Sequence, residues 1–176
     1  MHEHFVYGIL ITGGKMKIIV VSDSHGRANI LEQIAEKYPH ADMLLHCGDL
    51  ECEAECYPQY AVVQGNNDLF YDIPKYRIIQ AGNHRIFMIH SHQYSYVKRL
   101  HQMADEAIEH GCDIVCYGHT HVAAEDTIKG VRLINPGSLF YNRDGRPPSY
   151  AVMDLDDESI HVEFIFLPQE KKKGLW

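Results

Sequence analysis

Apolar and polar positions along this chain fall into a repeated figure: a short aliphatic run that stops at Gly, Asp, Asn, Ser or His. Ile18–Ile19–Val20–Val21 is followed by Ser22–Asp23–Ser24–His25–Gly26. Residues 43–47 stop at Gly48–Asp49, and residues 60–64 at Gly65–Asn66–Asn67–Asp68. Residues 84–89 stop at His90–Ser91–His92, and Ile114–Val115–Cys116–Tyr117 at Gly118–His119–Thr120–His121. Runs this short, bounded by turn-forming residues, predict buried strands. Leu31, Ile34, Ala35 and Tyr38 recur at helical spacing and predict a helix, with Asn29 as its cap and Pro39 beyond its end. Leu100, Met103, Ala104, Ala107 and Ile108 predict a second helix before Gly111. Residues 77–80 and 84–89 predict a hairpin turning at Ala81–Gly82–Asn83. Residues 50–57 predict a short helical or irregular piece, 131–134 a strand, and 150–155 and 161–167 two closing strands.

Strands alternating with helices early, then strand pairs late, predict a layered α/β fold with mixed sheets. The polar residues gather at the C-terminal ends of strands, the edge where open α/β sheets bind ligands. A length of 176 residues suits one domain with a sizeable core. Residues 16–168 are expected to form it, with a solvated basic tail at 169–176. Residues 1–15 read as an N-terminal extension set off by Gly13–Gly14, with 5–12 apolar enough for a strand. An upstream translation start is the expected origin, against a packing arm or a disordered lead.

Composition narrows the function. Hydrophobic residues make up 45% and charged residues 23%, ordinary for a globular chain. The net charge of −8, with no Lys/Arg block on a predicted element, speaks against a nucleic-acid groove. No apolar run approaches the ~18 residues of a membrane span. Five cysteines are an odd number, and the opening residues are too polar for an export signal, so a cytoplasmic protein without a disulfide framework is expected. Cys52/Cys56 and Cys112/Cys116 share a spacing within zinc range. The second pair flanks or lines a buried strand, which disfavours a zinc site made of all four.

The strand ends carry Asp23, His25, Asp49, Asn66, His90, His119 and His121: two carboxylates, one amide and four imidazoles. Each has a plain alternative. Asp23 can cap a turn, Asp49 and Asn66 can be ordinary turn formers after Gly, and any one histidine can be a core residue. Turn chemistry has no need of four histidines, so jointly the set points to metal. Mn²⁺, Fe²⁺, Ni²⁺ and Zn²⁺ accept this nitrogen and oxygen mixture. Seven ligands exceed one tetrahedral zinc and suit two ions sharing a carboxylate. His119 and His121 would leave a strand on the same side if extended geometry continued past Gly118.

In this order, Asp23-x-His25, Gly48–Asp49, Gly65–Asn66–Asn67–Asp68, His90-x-His92 and Gly118–His119–Thr120–His121 resemble the calcineurin-like metallophosphoesterase superfamily. Chain size, the Gly65–Asn66–Asn67–Asp68 form and Asn135–Pro136–Gly137–Ser138 are similar to its small YfcE-like phosphodiesterase branch. That branch also holds the retromer subunit of vacuolar protein sorting. The resemblance spans residues 16–167. It implies a four-layer αββα sandwich, two mixed β-sheets flanked by helices, with the metal site at the strand C-terminal ends. It implies two divalent ions, Mn²⁺ first and Ni²⁺, Fe²⁺ or Zn²⁺ as alternatives. Asp23, His25, Asp49 and His121 would hold one, and Asp49, Asn66, His90 and His119 the other, with Asp49 bridging. His92 would lie beside the second ion or the phosphate, Asp68 would orient its loop, and Ser138 would wall the site. Ser91 stands where the family has Gly.

The implied chemistry is hydrolysis of a small phosphodiester by a two-metal-activated hydroxide. Asn67 replaces the family histidine that protonates the leaving group or stabilises the phosphate. An amide can hydrogen-bond but cannot give up a proton, so diesters with good leaving groups are expected over monoesters. The alternatives are a phosphomonoesterase or nucleotide phosphatase, and a catalytically weak protein-binding scaffold of the same fold. A homo-oligomer is compatible with either.

Overall fold

The structure, a computed structural model, describes residues 6–9 and 14–168. Its elements in chain order are β1 (Val6–Ile9), β2 (Met16–Val21), α1 (Ala28–Lys37), β3 (Met43–His46), a 3-10 turn (Ala54–Cys56), β4 (Tyr60–Val62), β5 (Tyr76–Ala81) and β6 (His84–Ile89). Then follow α2 (Arg99–Glu109), β7 (Ile114–Tyr117), β8 (Ala123–Ile128), β9 (Val131–Pro136), β10 (Ser149–Leu155) and β11 (Ile160–Phe166). Among the described residues they form a sheet in the order β11-β10-β2-β3-β4 and a second in the order β1-β5-β6-β7-β9-β8.

Side-chain alternation within the strands sets the layers. In β2, Ile18 and Val20 join Met88, Ile114, Cys116 and Ile134 of the other sheet, while Ile19 and Val21 meet Leu31 and Ile34 of α1. In β7, Ile114 and Cys116 face that same inter-sheet core, and Val115 and Tyr117 meet Met103, Ala104 and Ala107 of α2. Strands apolar at every position are therefore central strands covered on both faces. The result is helix, sheet, sheet, helix. Each aliphatic side chain buried this way contributes about 1.5–3 kcal/mol of transfer free energy.

Differences from the sequence reading are local. Asn29 is not the cap of α1. The helix starts at Ala28 behind Arg27, with no side-chain cap, because a turn closed by Arg27 N–H to Ser24 C=O delivers the chain straight into it. β8 was not anticipated: in Ala-Ala-Glu-Asp-Thr-Ile, past the buried Ala123, only alternate positions are even partly covered, as suits an edge strand paired with β9. β1, from the predicted extension, pairs parallel with β5 at the sheet edge, Val6 opposite Ile78. The remainder of the predicted 5–12 strand and the 169–176 tail lie outside the described residues. The cysteines do not converge: Cys116 sits between the sheets, Cys112 under α2 and Cys52 against the α1 layer, and all five are free thiols. Among the described residues no helix is long and apolar enough to cross a membrane.

What matters for function is strand direction. β2, β3 and β4 run parallel, as do β6, β7 and β9. Their C-terminal ends meet: His90 Nδ1–H donates to Cys47 C=O at 2.7 Å, and Leu139 N–H to Ser22 C=O at 3.1 Å.

At the start of β6, His84 faces Asp113 Oδ2 through Nδ1 at 2.5 Å and the Asp156 carbonyl through Nε2 at 2.9 Å. Burial pulls its pKa down, but these two acceptors and the charge of Asp113 outweigh burial and raise it. A raised folded-state pKa makes the contribution complete below the unfolded value near 6.5 and lost as pH rises through the folded pKa. Asp113 is half exposed, so only about 0.5–1 kcal/mol is expected. The melting-temperature gap between wild type and His84→Gln should therefore be widest below about pH 6.5 and close above it; a gap flat across pH would contradict this.

Candidate metal centre

Backbone conformation shapes the site before any side chain does. Among the described residues the non-glycine positions with positive φ are Asp23 (52°), His25 (46°), Asp49 (57°), Glu51 (65°), Ser91 (84°), His119 (72°), His121 (57°) and Lys129 (53°). All but Lys129 lie at the converging strand ends. Left-handed backbone costs a non-glycine residue about 1 kcal/mol or more, and such strain gathers where function needs it. It also corrects the extended reading of the histidine pair. His119 turns toward Asn66 and His90, and His121 toward Asp23 and His25.

Two glycines let the strand ends close. A Cβ on Gly118 would lie 2.0 Å from Ser22 Oγ, and one on Gly65 2.1 Å from Asp49 Oδ1. Ser91 adopts the left-handed conformation expected of a glycine, and its hydroxyl donates to the Gly118 carbonyl at 3.2 Å.

The polar atoms fall into two abutting groups. In one, Asp23 Oδ1 is 3.0 Å from His121 Nε2, which is 3.4 Å from His25 Nε2. In the other, Asn66 Oδ1 lies 3.2 Å from His90 Nε2 and 2.9 Å from His119 Nδ1. Asp49 Oδ2 stands between them, 3.5 Å from His90 Nε2 and 3.9 Å from His25 Nε2. Donor atoms of Asp23, His25 and His121, and of Asp23, Asp49 and His90, each lie within 4.8 Å of one another. Asp23 thus belongs to both clusters.

Protonation makes these groups fit a cation. His25 Nδ1–H donates to Glu51 Oε1 at 2.7 Å, His90 Nδ1–H to Cys47 C=O, and His121 Nδ1–H to Tyr141 C=O at 2.9 Å. With the outer nitrogen of each ring donating, the inward Nε2 is the atom left to hold a metal once the ring is neutral, the tautomer that metal-binding histidines use. Asp23 Oδ1 is fully buried and accepts no hydrogen bond. It lies 3.0 Å from His121 Nε2, a contact that positive charge, whether a proton on the ring or a bound ion, stabilises. Burial pushes the Asp23 carboxyl up, yet His121, His90 and Ser22 outweigh it and hold it at about 2. Burial likewise opposes charge on Asp49, which His90 and the Asn67 N–H bring below the ordinary carboxylate value. Burial depresses His90, but Asp49 and Asp23 raise it above the ordinary imidazole value. His119, desolvated and near the charges of His90 and Arg99, falls to about 4. Around Asp23, Asp49 and His90 the pocket attracts positive charge, and around His119 it does not.

Known proteins are similar to this chain in sequence and fold. The profile of the calcineurin-like phosphoesterase superfamily domain matches residues 16–158. The chain belongs to that superfamily. A probable metallophosphoesterase of Bacillus subtilis, YsnB, is 35% identical over 152 residues, covering 85% of this chain and 90% of that one. The phosphodiesterase YfcE of Escherichia coli is 24% identical over 174 residues, covering 82% and 91%. A crystal structure of a predicted phosphoesterase from Streptococcus pneumoniae matches with a TM-score of 0.81 at 30% identity, covering 87% and 90%. The protein is a phosphoesterase of the metal-dependent kind, with the αββα architecture of its superfamily.

Within this superfamily frame the remaining residues take their places. Asp68 is fully buried: Oδ2 accepts the Asp49 and Gly65 N–H at 2.7 and 2.8 Å, and Oδ1 the Glu51 N–H at 2.7 Å. His92 lies on the exposed rim, its ring 5.5 Å from that of His90 and 6.2 Å from that of His119. Ser138 is not a wall of the site. It is buried beneath it, donating to Asp23 C=O at 2.9 Å and accepting the Phe140 and Tyr141 N–H. Asn67 turns to Glu51, its Nδ2 2.8 Å from Oε1.

Three residues escaped the sequence reading. Glu51 orients His25, and its signal was an acid two positions past the Gly-Asp motif. His46 ends β3 but points away from the cluster, taking Gly48 N–H on Nδ1 and donating from Nε2 to Ser24 Oγ at 2.9 Å. Arg99 opens α2 half-buried, with an Nε that has no hydrogen-bond partner and no carboxylate pairing it among the described residues. Nothing in its local sequence marks it.

Gly118→Ala would drive a methyl into Ser22 Oγ. Overpacking of this kind costs about 1–3 kcal/mol. Denaturant unfolding should show that loss, together with reduced metal uptake; an alanine variant as stable as wild type would contradict the packing.

Proposed function

We propose that this metal-dependent phosphoesterase is a phosphodiesterase that works with two divalent ions, Mn²⁺ being the first candidate and Ni²⁺, Fe²⁺ or Zn²⁺ the alternatives. The observation that carries the metal reading is the set of inward Nε2 atoms facing an unpartnered Asp23 Oδ1. Asp23, His25, Asp49 and His121 would hold one ion, and Asp49, Asn66, His90 and His119 the other. Asp49 Oδ2, within 4 Å of both His25 and His90, suits the shared position. When bound, such ions supply Lewis-acid charge to the phosphoryl oxygens and lower the pKa of water so that it attacks at neutral pH.

The chain's own residues favour a diester. Nothing at position 67 can hand over a proton, and the Asn67 amide donor is already engaged by Glu51. His92 is the remaining candidate acid. Burial and the charge of His90 keep its pKa below the ordinary imidazole value, so at neutral pH it is largely unprotonated. A leaving group that departs without a proton suits an aryl or nucleotide-like diester better than an alkyl monoester. The name of the E. coli relative, a phosphodiesterase, agrees with this. Arg99 would face the phosphate: a partly desolvated guanidinium lacking a carboxylate partner is available to an anion. A cytoplasmic setting is compatible with five free cysteines.

The test is protein stripped of metal, reloaded with each ion in turn and assayed on aryl diesters, aryl monoesters and cyclic nucleotides. Diesters should be turned over faster than monoesters with at least one ion; a preference for monoesters with every ion would overturn the reading. Asp49→Ala should cost both ions and nearly all turnover, and full metal occupancy by elemental analysis would remove Asp49 from the shared position. Arg99→Gln should raise KM about tenfold, equivalent to ~1.4 kcal/mol of a charge-assisted contact, at unchanged metal content. An unchanged KM would remove Arg99 from substrate binding.

A further inference from the structure

We propose that Asn67 and Glu51 form a positioning pair that locks the two halves of the metal centre to each other, an inference that rests on the metal reading above. Asn67 carries the link at both ends of one planar amide. Its Nδ2 donates to Glu51 Oε1 at 2.8 Å, and the same oxygen accepts His25 Nδ1–H at 2.7 Å. Its Oδ1 accepts Asn66 Nδ2 at 3.0 Å, which turns the Asn66 oxygen toward His90 and His119. Its backbone N–H donates to Asp49 Oδ1 at 2.8 Å, leaving Oδ2 for the pocket. One residue therefore fixes a ligand in each half and the carboxylate between them.

Glu51 is held for this task. Its φ of 65° is left-handed, and both sides of its backbone are pinned, the N–H by Asp68 Oδ1 at 2.7 Å and the C=O by the Tyr71 hydroxyl at 3.0 Å. A surface glutamate with no role would not need a strained backbone clamped in place. The amide at position 67 is also chemically specific. A carboxylate there could still accept from Asn66 but would repel Glu51, and an alanine would release both.

Outer hydrogen bonds to metal ligands are typically worth about 10–100-fold in metal affinity. Calorimetric titration of metal-stripped protein with Mn²⁺ alone measures this without reference to any substrate. Asn67→Ala and Glu51→Ala should each weaken Mn²⁺ binding by about tenfold or more, and the double variant should lose clearly less than the product of the two. Glu51→Gln, which keeps an acceptor for His25 and Asn67, should recover part of the loss. Asn67→Asp should weaken the His25 side while the Asn66 side keeps its partner. Imidazole nitrogen NMR of the stripped protein gives a second readout: His25 should hold its proton on Nδ1 in wild type and lose that preference in Glu51→Ala. Normal affinity in Asn67→Ala, or losses that simply multiply in the double variant, would overturn the pair and leave the metal site standing. A wild type that binds no divalent ion would overturn the metal reading, and this inference with it. A wild type that binds Mn²⁺ but does not hydrolyse diesters would overturn only the diester preference.

Discussion

The structure hangs on one buried carboxylate. Asp23 lies at the end of the central strand of one sheet, fully buried, and reaches across to the other. Its Oδ2 accepts the Ser22 hydroxyl at 2.6 Å and the His119 N–H at 3.0 Å, so the two strand ends are held edge to edge. Its carbonyl is taken by Ser138, bringing in the segment after β9. That leaves Oδ1 facing His121 and His90 with no hydrogen bond. Burying an ionised carboxylate costs several kcal/mol unless it is paired. The same atom that makes the arrangement expensive makes it a cation site.

The backbone strain follows from this geometry. Six strands arrive at one edge, three from each sheet, and five of them deliver side chains into one narrow crevice. A regular strand end would carry alternate side chains past the crevice. A left-handed residue reverses the chain within one position, so His119 and His121 can serve different halves while staying neighbours in sequence. Glycine at Gly118 and Gly65 then removes the bulk that would keep the ends apart. The layers outside the edge need no such devices, because there apolar alternation is enough.

These causes explain what was legible in the sequence. Ile18–Val21 and Ile114–Tyr117 announced central strands because burial on both faces leaves no polar position to confuse the pattern. The polar stops marked Asp23, His25, Asp49, Asn66, His90, His119 and His121, which the fold gathers into one crevice. β8 was hidden because an edge strand needs only alternate positions covered, and Glu125 and Asp126 look like loop. Glu51 and Arg99 were hidden for another reason. Their roles depend on where a carboxylate or guanidinium lands in three dimensions, and a single charged residue after a turn or before a helix carries no periodic signal. The direction of His119 and His121 was misread because sequence does not report the sign of φ for a non-glycine residue.

The strain also weighs between the enzyme and the scaffold that share this architecture. A protein using the fold only as a platform gains nothing from holding Asp23, His25, Asp49, His119 and His121 in left-handed backbone. Glycine at such positions would relieve strain, and apolar residues at a buried edge would remove the unpaired oxygen of Asp23. Here each strained residue instead keeps a side chain able to hold a metal, and the outer partners Glu51, Asp68 and the carbonyls of Cys47 and Tyr141 keep those side chains aimed. Such aim requires packing and hydrogen bonds to be maintained at many positions together, since loss of any one lets a ring rotate away from the pocket. Strain and buried polarity held together in this way favour the enzyme over the scaffold.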